Sequence, residues 1–221
     1  MLGCSCLSVA HGEELRPPGS TGGNTTNAPL KEVRPGVFEL GQVRFDKDKR
    51  TVNFPALVNQ REGNLEYVIV TTSGKTHESL LRTTAEPYHL QVALLLLGAK
   101  GAGTNALPED PAQSLPGDRI EIELSWDADG KVQRFRAEDF IHDRKSGRAA
   151  SHGEWIYTGS RLREDGFAAQ LDGSIVSLIT DADALVNNPR RGREDDDNWL
   201  VRTNSLPALH APLEVTLRLA R

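Results

Sequence analysis

The segment RIEIELSW, residues 119–126, alternates strictly between polar and apolar side chains. In an extended chain this alternation places its two isoleucines, its leucine and its tryptophan on one face, which is typical of a half-buried antiparallel strand. The turn residues DADG follow at 127–130, and KVQRFRAEDFI, residues 131–141, carries its apolar side chains out of strict alternation. The three segments predict a hairpin whose returning strand contains a bulge.

Other runs of β-branched and aromatic residues predict further strands on both sides of this hairpin. VFELGQVRFDKDKRTVNFPALV, residues 37–58, has two half-apolar runs around a charged turn, which is the pattern of a hairpin. LEYVIVTT, residues 65–72, is apolar almost throughout and predicts a central strand. Later strands are predicted at 154–160, 174–180 and 213–219. We therefore expect a mostly antiparallel β-sheet.

PYHLQVALLLLG, residues 87–98, changes from a strand pattern to a helix pattern. Pro87 suits a first helical position and Gly98 suits a helix end. Because apolar residues from Leu90 to Leu97 cover every face, we expect this helix to be buried nearly all round, at the centre of the core. The predicted fold class is α+β, with one buried helix at about 87–98 and a β-rich domain at 33–221. The Gly- and Pro-rich loop 101–118 is the boundary if that domain contains two units.

Composition excludes several classes of function. The 221-residue chain is 38% hydrophobic and 26% charged, as in ordinary soluble globular proteins. Its net charge of -5 disfavours nucleic-acid binding, which requires a basic face. The basic cluster at Arg190, Arg191 and Arg193 runs directly into the acidic residues 194–197, so its field is largely cancelled. No apolar stretch reaches the roughly 18 residues that a membrane-spanning helix requires.

Both cysteines lie in the first six residues. The residues after them are mostly Gly, Pro, Ser, Thr and Asn, so residues 1–32 are predicted to be a flexible tether. LGC, residues 2–4, resembles the end of a bacterial lipoprotein signal, which makes Cys4 the lipidation candidate. Only three residues precede Cys4, whereas such a signal requires an apolar segment. The alternatives are a plain cysteine-bearing tail and a redox or metal-handling pair of Cys4 and Cys6.

SGKTHESLL, residues 73–81, contains the candidate ligand-binding residues Lys75, His77 and Glu78. It is not a phosphate-binding P-loop, because Ile69 stands where the first glycine of that motif is required. The alternative is structural: Thr76 would cap a helix, Glu78 would face the positive end of the helix dipole, and the two leucines would anchor the turn in the core.

The same segment raises the hypothesis of a divalent metal or acid/base site. On a helix, neighbouring side chains diverge by about 100 degrees, so His77 and Glu78 cannot easily share one metal ion. Further ligands would come from His142 and His152 or from the aspartates 195–197. DADGK, residues 127–131, contains a fragment of a calcium loop but joins two predicted strands, so we interpret it as a turn. No Gly-x-Ser-x-Gly motif of serine hydrolases is present.

Four segments together resemble bacterial YdjY-domain proteins: GKTHESLL, AEPYHLQVALLLLGAKG, EWIYTGS and DDDNWLVRTNSLPALHAPLEVTLR. The likeness extends from about Val37 to Leu217. It implies little chemistry, because the domain is functionally uncharacterised. Some relatives are described as ferredoxin-like, but this chain lacks the cysteines that an iron-sulfur cluster requires, so no such cluster is expected. Many relatives begin with a secretion or lipoprotein signal, which implies an address in the cell envelope.

These observations lead to two hypotheses of function. The first is a non-enzymatic envelope domain that binds an unknown protein or small ligand and contacts the membrane only through a lipid on Cys4. The second is a metal-dependent or acid/base enzyme that uses His77 and Glu78. If no signal is present, the alternative address is the cytoplasm.

Overall fold

The computed structural model describes residues 28–220, in which eight strands form a closed barrel and four further strands extend the same sheet. The remaining five strands form two small separate sheets, one of three strands and one of two. In chain order the strands are β1 (Lys31–Arg34), β2 (Val37–Leu40), β3 (Val43–Asp46), β4 (Thr51–Val58), β5 (Tyr67–Thr71), β6 (Ser79–Thr83), β7 (Asp118–Ala128), β8 (Lys131–Arg136), β9 (Ile141–Asp143), β10 (Arg148–Ala149), β11 (Trp155–Tyr157), β12 (Leu162–Arg163), β13 (Gly166–Phe167), β14 (Ser174–Ser177), β15 (Val186–Asn187), β16 (Trp199–Val201) and β17 (Pro212–Leu219). The helices are α1 (Pro87–Leu96) and α2 (Ala168–Asp172), and single 3-10 turns cover Thr76–Glu78 and Ala137–Phe140.

The barrel follows the order β4, β17, β7, β11, β15, β14, β5, β6 and closes where β6 pairs back with β4. Only the pairs β5–β6 and β14–β15 are parallel, so the prediction of a mostly antiparallel sheet is confirmed. β1, β2 and β3 extend the sheet beyond β4, and β8 extends it beyond β7. Strands from both sides of the long loop, residues 101–117, lie in the same closed sheet, so this loop connects two parts of one barrel.

The alternation in residues 119–126 buries one face of β7, as predicted. Ile120, Ile122 and Leu124 of β7 are fully buried in the core, and β17 buries every second residue beside them. At the end of β7, the ring of Trp126 stacks on that of Phe135, with centroids 5.1 Å apart. The resulting core fills the barrel with aliphatic and aromatic side chains.

The turn at 127–130 is confirmed, but the bulge is not. The Asp127 carboxylate accepts a hydrogen bond from the backbone N–H of Gly130 at 2.9 Å, and Asp129 and Gly130 both have positive φ. β7 and β8 then pair without a register shift. The predicted bulge is therefore wrong: Val132 points outward, and the break in alternation precedes the 3-10 turn at Ala137–Phe140.

Helix α1 begins at Pro87 as predicted, and Gly98 lies just beyond its end with φ 83°. The expectation that it is buried nearly all round is wrong. One face packs against β3, β4 and α2, while the opposite face is exposed to solvent. The buried face consists of His89, Leu90, Ala93, Leu94 and Leu97. Strand side chains already fill the barrel, so the helix covers the sheet and uses only one of its apolar faces. The short helix α2 was not predicted.

The predicted tether lies largely outside the described residues, and so does Cys4. The described part begins at residue 28, and β1 begins at Lys31 and pairs with β2. None of the helices formed by residues 28–220 is long and apolar enough to span a membrane.

Candidate functional site

The segment 73–81 connects two parallel strands, β5 and β6. Thr76–Glu78 forms a single 3-10 turn with no side-chain cap, and a strand follows it. The alternative of a helix capped by Thr76 is therefore wrong, although Leu80 and Leu81 are fully buried as expected. Gly74 packs closely against α2 and β14, since a Cβ there would lie 3.1 Å from the backbone oxygen of Gly173.

Lys75 and Glu78 come together with three residues that the sequence did not indicate. The Nζ atom of Lys75 lies 3.5 Å from Oε2 of Glu66, 3.7 Å from Oε1 of Glu78 and 5.1 Å from the ring centroid of Tyr67. The hydroxyl of Tyr67 donates a hydrogen bond to Oδ2 of Asp181 at 3.0 Å. We call these five residues the Lys75 cluster. It forms because the parallel pairing of β5 and β6 brings the beginning of β5 beside the 3-10 turn.

The ionisable groups of the Lys75 cluster shift one another's pKa values. Burial and the nearby Glu78 carboxylate raise the pKa of Glu66 above its usual value. Burial also raises the pKa of Tyr67 to about 12. For Lys75, burial lowers the pKa, but Tyr67 and the two carboxylates outweigh it and the net pKa is raised. Lys75 is thus held as a cation at neutral pH, and an ammonium ion cannot act as a general base or nucleophile.

The four metal candidates do not form one group in the described part of the chain, although two of them, His77 and Glu78, are in contact. The side chain of His77 is 78% exposed, and its Nε2 lies 3.6 Å from Oε1 of Glu78. His142 lies on β9, paired with β10 and β16, and Nε2 of His152 lies 2.7 Å from Oδ1 of Asp139. Among residues 28–220, no three or more His, Cys, Asp or Glu side chains are grouped so that they could hold a metal ion.

The acidic run beside Trp199 is used in local contacts. Asp195 forms an ion pair with Lys145, whose Nζ lies 3.1 Å from Oδ2 of Asp195. Asp197 accepts a hydrogen bond from Nδ2 of Asn64 at 2.8 Å.

A buried charge cluster around Glu138 was missed by sequence reasoning. Oε1 of Glu138 accepts hydrogen bonds from Nη2 of Arg190 at 2.7 Å, from the N–H of Gly153 at 3.2 Å and from Nη2 of Arg136 at 3.4 Å. The Arg190 guanidinium lies 4.9 Å from the ring centroid of Trp155. Burial lowers the pKa of Arg190, while Glu138 opposes that shift. The cluster joins the 3-10 turn at Ala137–Phe140 to the β15–β16 connection, and its partners are too far apart in sequence to form a motif.

The outer surface of β2, β3, β4, β17 and β7 carries an open groove of about 590 Å³. Its polar side chains are held by one another: Nη2 of Arg44 lies 2.5 Å from Oε1 of Glu39, and Nδ2 of Asn53 donates to Glu214 at 3.3 Å. Trp126 also borders the groove, although its ring packs against the core. The groove therefore presents donors and acceptors in fixed positions, and such groups orient a ligand in a binding site. Its residues lie on five separate strands, so no local sequence signal marks it.

A protein-family model, described as the YdjY domain, matches residues 43–218. This range extends from the beginning of β3 almost to the end of β17, and it confirms the resemblance inferred from the sequence. No curated protein and no solved structure matched the chain.

Proposed function

The chain belongs to the YdjY domain family, and from this premise we propose that it is a non-enzymatic binding module of the bacterial cell envelope, tethered by a lipid on Cys4. The envelope address is supported by the likeness of residues 2–4 to a lipoprotein signal and by the leader sequences implied by the family resemblance. The partner is an unknown protein or small ligand, and nucleic acid is disfavoured by the net charge of -5.

The groove is the observation that carries the binding function. The carboxylates of Glu39 and Glu214 offer acceptors, and Arg44 and Asn53 offer donors. All four side chains are already held by hydrogen bonds, so little side-chain entropy would be lost on binding. This arrangement suits a small polar ligand, or a polar segment of a partner, that presents both donors and acceptors.

Fragment binding monitored by backbone amide NMR tests the groove directly. We expect small polar fragments to shift the amide signals of Asn53 and Glu214, and Asn53→Leu to weaken that binding. Glu123→Gln is the matched control, because Glu123 is an ion-paired residue of the same sheet that does not line the groove. Fragments that bind elsewhere, or that bind the Asn53→Leu variant equally well, would assign the ligand to another surface.

Membrane fractionation of the native gene product in its own host tests the address. We expect recovery with the membranes, incorporation of labelled palmitate, and loss of both in a Cys4→Ser variant. Recovery of unacylated protein in the soluble cytoplasm contradicts the envelope proposal.

The second candidate remains a metal-dependent or acid/base enzyme that uses His77 and Glu78. It is favoured by the position of these two side chains, because Nε2 of His77 lies 3.6 Å from Oε1 of Glu78 and Glu78 belongs to the Lys75 cluster, where the pKa of Glu66 is raised. Metal analysis of the purified protein, with the His77→Ala variant for comparison, tests whether the chain binds a metal ion through His77. Stoichiometric metal that is lost in the variant supports it, and metal-free wild-type protein contradicts it.

A further inference from the structure

A second cavity lies on the outer surface of the sheet, between the β3–β4 turn and the end of β17. Its volume is about 560 Å³, which is within the range of small-ligand sites. Five charged residues are part of its lining: Asp48, Lys49, Arg50, Glu121 and Arg218. The lining of this cavity and the lining of the groove share no residue, so the two are separate sites. We call this one the arginine cavity.

The pairing of β4 with β17 places two arginines side by side at the arginine cavity. Arg218 of β17 is paired with Thr51, the first residue of β4. Arg50 precedes Thr51, and its carbonyl oxygen accepts a hydrogen bond from the backbone N–H of Leu219 at 3.0 Å. The φ of Arg50 is 55°, so the chain turns at this residue before it enters β4. The two arginines are therefore neighbours across adjacent strands.

Neither arginine has a partner for its charge within residues 28–220, where neither forms an ion pair or a side-chain hydrogen bond. The Nε atom of Arg50 is even buried without an acceptor. Other arginines of the same sheet are paired: Arg119 lies 3.1 Å from Glu154, and Arg134 lies 3.0 Å from Glu123. Two neighbouring cations repel each other, and a bound anion removes that repulsion.

The other charged residues leave the arginine cavity with an excess of positive charge. Oε1 of Glu121 lies 3.1 Å from Nη1 of Arg136, and Nζ of Lys49 lies 3.7 Å from Oδ2 of Asp46. The carboxylate of Asp48 has no such partner in the described part of the chain. Two uncompensated arginines and one uncompensated aspartate give +2 and -1, so a single positive charge remains.

We propose that Arg50 and Arg218 bind the carboxylate group of a small organic ligand in the arginine cavity. This inference goes beyond the proposed function, because the groove is a different site. A guanidinium group matches the planar geometry of a carboxylate, and hydrogen bonds between charged groups are stronger than those between neutral groups. One carboxylate neutralises the remaining charge, whereas a phosphate group, with about -1.5 to -2 at pH 7, exceeds it. Asp48 offers an acceptor to an amino or hydroxyl group of the same ligand.

Titration of the full chain with acetate, followed by backbone amide NMR at constant ionic strength, tests the proposal. We expect saturable shifts of the amide signals of Arg50, Thr51 and Arg218. Two exposed ion pairs correspond to a Kd of roughly 0.1 M or lower, which sets the range of the titration. Acetamide is the matched neutral probe, because it has nearly the shape of acetate without its charge. It should cause no saturable shift of these signals.

Substitutions identify the groups that bind acetate. Arg50→Gln and Arg218→Gln should each raise the Kd about fivefold, as expected for the loss of one exposed ion pair. Arg134→Gln is the matched control, because it removes the same charge from an exposed arginine of the same sheet that does not line the arginine cavity. It should leave the Kd within about twofold, since distant charges are screened by salt. Arg218 is exposed, so its replacement leaves the core intact, and the amide spectrum of each variant reports its folding.

Three results would overturn the proposal: acetate shifts that do not saturate by about 0.1 M, equal binding of acetate by Arg218→Gln and Arg134→Gln, or tighter binding of inorganic phosphate than of acetate at Arg50 and Arg218. The last would assign the arginine cavity to phosphate groups. The comparison of acetate with acetamide uses the unchanged chain, so it does not depend on the folding of any variant. The groove is tested separately, because Asn53→Leu changes no residue of the arginine cavity.

Discussion

Replacement of Arg193 by methionine should release the long loop from the barrel. The Arg193 side chain is almost completely buried, with 1% of the residue exposed. Its Nη2 donates to the carbonyl oxygens of Asp110 and Gln113, both at 3.0 Å, and its Nη1 donates to that of Pro111 at 3.2 Å. Its Nε donates to Oγ1 of Thr180 at 3.1 Å. One guanidinium therefore fastens the loop to the segment between β14 and β15.

The magnitude follows from these four bonds. A hydrogen bond from a charged donor contributes about 1.5–3 kcal/mol, but burial of a cation costs several kcal/mol and offsets part of the sum. Once the loop detaches, its carbonyl groups regain water, which limits the loss. We therefore expect Arg193→Met to lower the free energy of unfolding by about 3 kcal/mol, within the range for breaking a buried charge network. Arg193→Lys should lower the free energy of unfolding by less than Arg193→Met, because the lysine ammonium can still donate three hydrogen bonds, although it cannot reproduce the planar guanidinium.

Urea unfolding followed by tryptophan fluorescence measures the loss, and limited proteolysis under native conditions reports the release of the loop. Arg191→Met is the matched control, because Arg191 is exposed, and its effect should stay within about 0.5 kcal/mol. If Arg193→Met loses less than about 1 kcal/mol and the loop remains resistant to protease, the reasoning from buried hydrogen bonds is refuted.

Two further substitutions test the packing of α1 and the charges of the Lys75 cluster. Gly41→Ala should lower the free energy of unfolding in urea by about 2–3 kcal/mol, because the backbone has a φ of 58° and the added Cβ would clash with His89. Gly103→Ala is the control: its φ is 63° but the space around it is open, so it should lose only about 1 kcal/mol. Equal losses in the two variants would mean that His89 moves aside. The raised pKa of Glu66 means that the folded state binds more protons than the unfolded state, so stability falls as pH rises from 4.5 through the raised value. Because Lys75→Met removes the nearby cation and raises that pKa further, unfolding curves should show a larger loss at about pH 8 than at about pH 5, and a loss independent of pH would contradict the coupling.

The strands could be predicted because their signals are local. The alternation in residues 119–126 requires only that one face be buried, and the DADG turn requires only backbone freedom at 129 and 130.

The Lys75 cluster could be predicted only in part. Lys75 and Glu78 lie three residues apart, but Glu66 and Asp181 reach them through the pairing of β5 with β6 and β14. Local spacing carries no information on that register.

The exposure of α1 could not be predicted for a different reason. A helix buried within a protein and a helix that docks one face on another surface have the same apolar sequence. The missing information is the long-range contact between Gly41 and His89, which places the β2–β3 turn against one face of the helix and leaves the opposite face exposed. That contact joins residues 48 positions apart, so no helical periodicity can reveal it.

The location of the groove follows from how the barrel closes. β4 pairs with β3 through its first residues and with β6 through its last, and β7 similarly divides one edge between β11 and β8. The sheet thus continues past the barrel at two places, and the groove lies across the strands between them. Its polar side chains face outward, whereas Arg193 and Glu138 hold segments of the fold together from buried positions. A substitution at Asn53 should therefore change binding with a smaller loss of stability than a substitution at Arg193, which separates the proposed contact from the framework that carries it.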